Sequence, residues 1–529
     1  MEIEIIIGDQ WWNDHKLEEY KLTPGEQRTL TYNLAQFAGE QVWVELELEY
    51  ARGSNALVTL DNVRVVQSRT NPGSYAADMV DATLAHSAGI DGTGVTIAFV
   101  DSGIDLAAPA MTKGNGNSRV KGQHSVINEN NDYNGHGTHV VSVATQSAGA
   151  PGACGSAGKM GIAPGADIVS FQAFDSNGSG TYSGVIQALD MVLDTRNQYG
   201  TRIVNLSFGA EVQSHYWDDP VNQAVMRLWE AGLVVVTSSG NQGPDPMSIT
   251  VPGNVPYVIT VGAMTNNFTT SDLSDDRVTS FSGAGPTHEG FIKPDLVAPG
   301  GHMLGYAGAA STLAWELAGN EDYTDSDYLM ASGTSQSAAV VSGVAALLLQ
   351  FDPSLSNDDI KCKLMSGAKA AKLGNSDWAY SPFRQGAGMV NAYLAATSAI
   401  ENCANQGLDL QSDLAGVHHK GPTRAEANGR FKIVQSDGSV WNESSFWNEG
   451  SFWNEGSVWN EGSFWNEGSV WNEGSFWNEG SVWNEGSVWN EGSVWNEGSM
   501  WNESSAWNEG TVWNETLTPM SLNVSREQE

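Results

Sequence analysis

Three short segments carry side chains that could act together as a carboxylate, a base and a nucleophile. The first is Asp101-Ser102-Gly103-Ile104-Asp105, which follows the apolar run 94–100. Reactive groups in parallel sheets gather at the carboxyl ends of strands, although a turn or capping Asp would read the same way. The second is Asn134-Gly135-His136-Gly137-Thr138-His139-Val140, opening a helix of small residues. A zinc-binding H-E-x-x-H helix needs a Glu beside its first His and a wider spacing, so Gly137 and Thr138 argue against a metal. Glycine on both sides of His136 would let another backbone, such as a bound peptide, come close. The third is Ala331-Ser332-Gly333-Thr334-Ser335-Gln336-Ser337, running into an almost wholly apolar helix that must be buried. A hydroxyl at such a helix start lies where backbone N–H groups can hold an oxyanion; an N-capping Ser is the ordinary alternative. Spacing alone leaves the imidazole open between His136 and His139, and the hydroxyl open among Ser332, Ser335 and Ser337.

The chemistry of such a set is nucleophilic. A Ser hydroxyl attacks a carbonyl only when a neighbouring imidazole takes its proton, and an ordinary His pKa of ~6.5 suits that exchange near neutrality. A carboxylate behind the imidazole fixes its tautomer and stabilises the cation that forms.

The elements that position these groups are legible. Runs of β-branched residues bounded by Gly occur at 95–100, 168–174, 203–207, 233–238 and 258–261. Helical patterns lie between them, such as Val185, Ile186, Leu189, Val192 and Leu193, then Val221, Val225, Leu228 and Trp229. Continuous apolar strands alternating with helices imply an α/β fold whose parallel sheet is covered by helices on both faces. Residues 1–68 differ: Ile3, Ile5 and Ile7 alternate with polar residues, as do Val42, Val44, Leu46 and Leu48, and 57–66 reads as a further strand. Such strands without a helical pattern suggest a small β-rich accessory segment, a β-sandwich or its C-terminal half.

From Ser439 to Thr516 the chain repeats a hexapeptide, S-[VF]-W-N-E-G, thirteen times, holding 13 of the 20 Trp. It contains no His, Lys or Cys, so it supplies neither a near-neutral base nor a thiolate to the chemistry. The tract reads equally as stacked short β turns or as an extended tail, and an exposed ladder of Trp and Glu suits contact with glycans, a cell surface or partner chains. The expected organisation is therefore 1–68 accessory, 74–406 catalytic, 407–438 linker, 439–516 repeat and 517–529 tail. The chain has 529 residues and a net charge of −37. That balance argues against a nucleic-acid partner, which needs a cationic face. No run reaches the roughly 18 apolar residues of a membrane span. No signal peptide is visible at MEIEIIIGDQ, which suggests a chain cut from a longer precursor. Cys362 and Cys403 lie in or just after expected helices and could pair, leaving Cys154 over.

The three segments, in the order Asp, His, Ser, resemble the subtilisin family of serine peptidases over residues 74–397. Gly161-Ile162-Ala163-Pro164-Gly165-Ala166, Asn205-Leu206-Ser207-Phe208-Gly209, Ser239-Gly240-Asn241-Gln242-Gly243 and Lys293-Pro294-Asp295-Leu296-Val297-Ala298-Pro299-Gly300 add to the resemblance. It implies a subtilisin-like fold, with Asp101, His136 and Ser335 as the triad and Asn241 as an oxyanion-hole amide. It implies also that Ser207, Phe208 and Gly209 form the strand and pocket wall that receive a protein or peptide substrate. No cofactor is implied as necessary. Structural calcium is frequent in the family, with no ligand run clear enough to name. The expected location is extracellular or at the cell surface. Two departures stand out: Gln336-Ser337 where relatives carry Met-Ala, and Ala339 where they carry Pro. The rival reading is a catalytically silent scaffold that displays the repeat.

Overall fold

The computed structural model describes strands at residues 2–8, 14–21 and 43–49, and then residues 75–127, 129, 131–147, 161–266, 276–317, 327–372, 378–425, 431–434, 440–441 and 520–522. The chain divides into two compact units, Met1–Ser68 and Arg69–Glu529. In the first, β1 (Glu2–Gly8) lies between β2 (Asp14–Lys21) and β3 (Trp43–Glu49), antiparallel to both. The alternation seen in the sequence falls into register, with Ile3, Ile5 and Ile7 opposite Leu48, Leu46 and Val44. The expected strand at 57–66 lies outside the described residues.

In the second unit, α1 (Tyr75–Met79) and α2 (Ala82–Ser87) lead into β4 (Thr96–Asp101), β5 (Val120–Ser125) and β6 (Asp167–Gln172). Two short strands, β7 (Ser179–Gly180) and β9 (Phe208–Gly209), flank β8 (Thr201–Leu206) in sequence. There follow β10 (Val234–Ser238), β11 (Ile259–Thr265), β12 (Arg277–Val278) and β13 (Leu296–Pro299). The main sheet has eight strands in the order β12-β11-β10-β8-β4-β6-β5, with β13 also paired to β11. All its pairs are parallel except β11–β12. Every residue of β4, β10 and β11 is buried, which is why these strands are apolar without alternation.

Helices cover both faces. On one, α3 (His136–Thr145) packs on β4 and on a long helix that runs across β8, β10, β11 and β13. On the other, α4 (Tyr182–Tyr199) and α5 (Pro220–Glu230) pack together over β4, β6, β8 and β10. Asp219 caps α5, accepting from the N–H groups of Val221 and Asn222 at 2.9 and 3.0 Å, with Pro220 in the first turn. A hairpin of β14 (Met303–Tyr306) and β15 (Tyr328–Ala331) follows, with α6 (Thr312–Glu316) between its strands. The long helix is α7 (Thr334–Phe351), buried from Thr334 to Leu349. By length and hydropathy it would pass for a membrane span, yet 89% of it lies inside the protein.

After α7 come α8 (Asn357–Ser366), α9 (Pro382–Gln385) and α10 (Ala392–Thr397). Residues 407–438, expected to be a linker, instead contain α11 (Leu410–Leu414), β16 (Thr423–Ala425) and β17 (Phe431–Val434). Phe431 is buried in the main core, and Leu408, Leu410, Leu414 and Ile433 pack against it. Apolar residues this sparse do not mark an element in sequence, but together they suffice to dock the segment. β18 (Val440–Trp441) pairs with β17, and β19 (Met520–Leu522), within the expected tail, is also a paired strand. The rest of the hexapeptide repeat lies outside the described residues.

Cys362 of α8 is bonded to Cys403, the expected pair, and Cys154 lies outside the described residues. The bridge closes a loop with a sequence separation of 41, which restricts the unfolded chain by about 4 kcal/mol on the loop-entropy account. The double variant Cys362→Ser/Cys403→Ser should lose stability of that order in urea unfolding. A loss below about 1 kcal/mol would show that packing alone holds this segment.

Candidate active site

Asp101 ends β4 and is buried. Its Oδ1 accepts from the backbone N–H of Ser102 and lies 2.7 Å from His136 Nδ1. The other ring nitrogen, Nε2, is buried and makes no hydrogen bond, and neither does Asp101 Oδ2. His136 opens α3, preceded by Gly135 at φ 92°, a left-handed turn that favours glycine. A Cβ on Gly137 would lie 2.2 Å from the Gly103 carbonyl oxygen. The backbone that approaches Gly137 is thus the chain's own, not that of a bound peptide.

The loop entering α3 is organised by Asp132. Its Oδ1 accepts from Gly135 N–H and Ser102 Oγ at 2.7 and 2.9 Å, and its Oδ2 from Thr138 N–H and Oγ1 at 2.8 and 2.7 Å. Burial raises this carboxyl to about 6, against the pull of its four donors. Ser102 Oγ also accepts from Gly137 N–H at 2.9 Å. The sequence reading passed over Asp132, although an Asp shortly before a helix start is an ordinary capping signal.

Ser335 stands in the first turn of α7, where N–H groups lie outside the helix's own ladder. Its hydroxyl donates to Ser207 O at 3.0 Å, and the Ser207 hydroxyl donates to Ser335 O at 3.0 Å. Asn205, at the end of β8, donates to Ser207 Oγ at 2.8 Å and accepts from Ser342 Oγ at 2.9 Å. This buried network fixes the segment Ser207-Phe208-Gly209 against α7. Asn205 was quoted in the sequence only as part of a motif; its role here comes from contacts distant in the chain.

Asn241 follows β10. Its Oδ1 accepts from the N–H and hydroxyl of Thr334 at 3.0 and 2.9 Å. The amide orientation is thereby set, and its buried Nδ2 has no partner. Two donors are left unused beside the start of α7.

The imidazoles differ in their partners, while all three hydroxyls bond backbone groups, Ser335 that of Ser207. His139 Nε2 lies 3.1 Å from both Met303 O and Leu329 O, and its Nδ1 lies 3.3 Å from Gln336 Nε2. Ser332 Oγ accepts from His302 N–H, and Ser337 Oγ donates to Ala298 O. These three side chains brace the backbone, whereas His136 bonds a carboxylate. Gln336, the departure from the usual Met, ties the first turn of α7 to the first turn of α3 through His139. Among the described residues no group of three or more His, Cys, Asp or Glu side chains is placed to hold a metal, and no calcium site is assigned.

Residues 92–388 match the subtilase family. The chain belongs to that family. It is 32% identical to the serine protease AprX of Bacillus subtilis (strain 168) over 57% of this chain and 66% of that one. It is 33% identical to the alkaline elastase YaB of Bacillus sp. (strain YaB), covering 63% of this chain and 72% of that one. With subtilisin E of Bacillus subtilis (strain 168) the identity is 30%, over 65% and 76%. As a subtilase the chain is a serine-type endopeptidase.

Burial drives the His139 imidazole down to about 4, from an ordinary value near 6.5. On acidification the unfolded subtilase therefore binds this proton first. The stabilisation is complete above about pH 6.5 and is lost as pH falls toward 4, a change of about 3 kcal/mol. Asp132, raised to about 6, contributes with the opposite sign over the same range, so the His139 share is read as a difference: between pH 7 and pH 4 the parent should lose about 3 kcal/mol relative to His139→Gln in urea unfolding.

Proposed function

We propose that the chain hydrolyses protein and peptide substrates through Ser335, His136 and Asp101, by way of an acyl-enzyme. The observation that carries this reading is the 2.7 Å Asp101 Oδ1–His136 Nδ1 contact, which leaves Nε2 as the one ring nitrogen without a partner. In the proposed sequence, Nε2 takes the Ser335 proton as Oγ bonds to the substrate carbonyl carbon. Asp101 holds the Nδ1–H tautomer and stabilises the imidazolium. The carbonyl electron pair moves onto oxygen, where the Asn241 amide and the Ser335 N–H receive it. Collapse expels the amine, which takes its proton from His136 Nε2. Water then enters by the same route, with His136 again as base, and releases the acid and the free hydroxyl. Every group in this scheme comes from the chain's own residues.

The substrate's extended backbone is read as pairing with Ser207, Phe208 and Gly209 by strand addition. Phe208 and Phe174, with ring centroids 5.1 Å apart, are read as a wall of the adjoining pocket. Location outside the cell or at its surface is supported by the Cys362–Cys403 bridge, since such bonds persist in oxidising compartments. Thirteen evenly spaced Trp-Asn-Glu units support a multivalent contact of the repeat with glycans or a cell surface.

Ser335→Ala should abolish turnover and fluorophosphonate labelling while circular dichroism stays unchanged. Labelling that persists, or moves to Ser332 or Ser337, would overturn the assignment. Asn241→Leu should cut kcat on the order of 100- to 1000-fold with KM nearly constant, a magnitude known from subtilisin, a member of the same family. A rise in KM with kcat intact would make Asn241 a pocket residue instead.

A further inference from the structure

The edge of β9 that a peptide would pair with is already taken. β19, Met520–Leu522, lies between β7 and β9 and runs antiparallel to both. Met520 pairs with Gly180, Ser521 with both Ser179 and Gly209, and Leu522 with Phe208. Leu522 N–H donates to Gly178 O at 3.3 Å. Its half-buried side chain packs against the main core, with Cδ1 3.4 Å from where a Cβ on Gly178 would stand.

Polarity matters as much as position. The step from Ser521 to Leu522 passes from Gly209 to Phe208, and so toward Ser207, the residue that exchanges hydrogen bonds with Ser335. The strand therefore points its carboxyl end at the hydroxyl. The acyl side of a substrate must have that direction, because the carbonyl under attack closes the residues that precede the scissile bond.

We propose that the slot between β7 and β9 is held by the chain's own C-terminal segment, which incoming peptides must displace. This rests on the reading of Ser207, Phe208 and Gly209 as the substrate strand. The segment returns to the catalytic unit after the whole Trp repeat, so the repeat spans from β18 to β19 and tethers an internal competitor. A tethered competitor acts at an effective concentration set by its linker. Where that concentration is about ten times the strand's own dissociation constant, the apparent KM rises about tenfold and kcat is unchanged. The same contacts specify what the slot accepts: an extended peptide with an apolar side chain where Leu522 sits.

The test compares three full-length chains on a short chromogenic peptide: the parent, Leu522→Asp and Ser521→Pro. The Pro removes a ladder donor from the middle of a central strand. Both variants should lower KM about tenfold with kcat within twofold. A synthetic peptide spanning residues 518–525, added to the Leu522→Asp chain, should restore the higher KM competitively. Equal KM in all three chains, or no competition by the peptide, overturns the proposal and leaves the peptidase reading standing. Fluorophosphonate labelling run in parallel separates the two ideas. If Ser335 is labelled in none of the chains, the peptidase reading fails and the internal competitor fails with it.

Discussion

A 2.7 Å contact between Asp101 and His136 requires the first turn of α3 to lie on the end of β4 with no side chain between them. That space does not exist for a methyl group at Gly137, whose Cβ would stand 2.2 Å from the Gly103 carbonyl oxygen. Ser102 and Asp132 close the same seam with hydrogen bonds, satisfying N–H groups at the start of α3. Once α3 is seated, Gln336 and His139 join it to α7. The start of α7 in turn sets the Asn241 amide through Thr334 and the β9 segment through Ser207. Five segments far apart in sequence are thus held by short polar contacts in a place with no room for error.

The strands were legible where both faces are buried. β4, β10 and β11 appear in the sequence as continuous apolar runs, and their positions differ from expectation by a few residues at the ends. β5 was not legible, because an edge strand reading Val-Lys-Gly-Gln-His-Ser is only half buried and carries no apolar period. Asp101, His136 and Ser335 could be shortlisted from residue type and helix position. Choosing His136 over His139 needed the family resemblance, since both sit at one helix start. In the fold they differ by partner alone, a carboxylate for one and two backbone carbonyls for the other.

What stayed hidden depends on pairs remote in the chain. Asp132 and Asn205 are common polar residues until Ser102, Thr138, Ser207 and Ser342 are brought to them. The docking of 407–434 rests on a few apolar side chains scattered among polar ones, a pattern that composition reads as a linker. β19 is three residues of no distinctive type, and only its neighbours β7 and β9 make it a strand.

The burial of α7 has a consequence for a protein that digests proteins. Local openings in a folded chain span a range of free energies, and segments in the centre of the core open only near the cost of global unfolding. α7, enclosed from Thr334 to Leu349, belongs to that most protected class, so its amides should be among the last to exchange with solvent. A neighbouring enzyme molecule could cleave within α7 only after the helix had left the core, and by then the hydrogen bonds between Ser335 and Ser207 would be gone. Cheap fluctuations at the periphery can be nicked without touching α7, while any excursion deep enough to expose that helix also takes apart the contacts at its start. Self-digestion is thereby steered toward expendable surface segments, and the lifetime of activity is set by the slowest unfolding step.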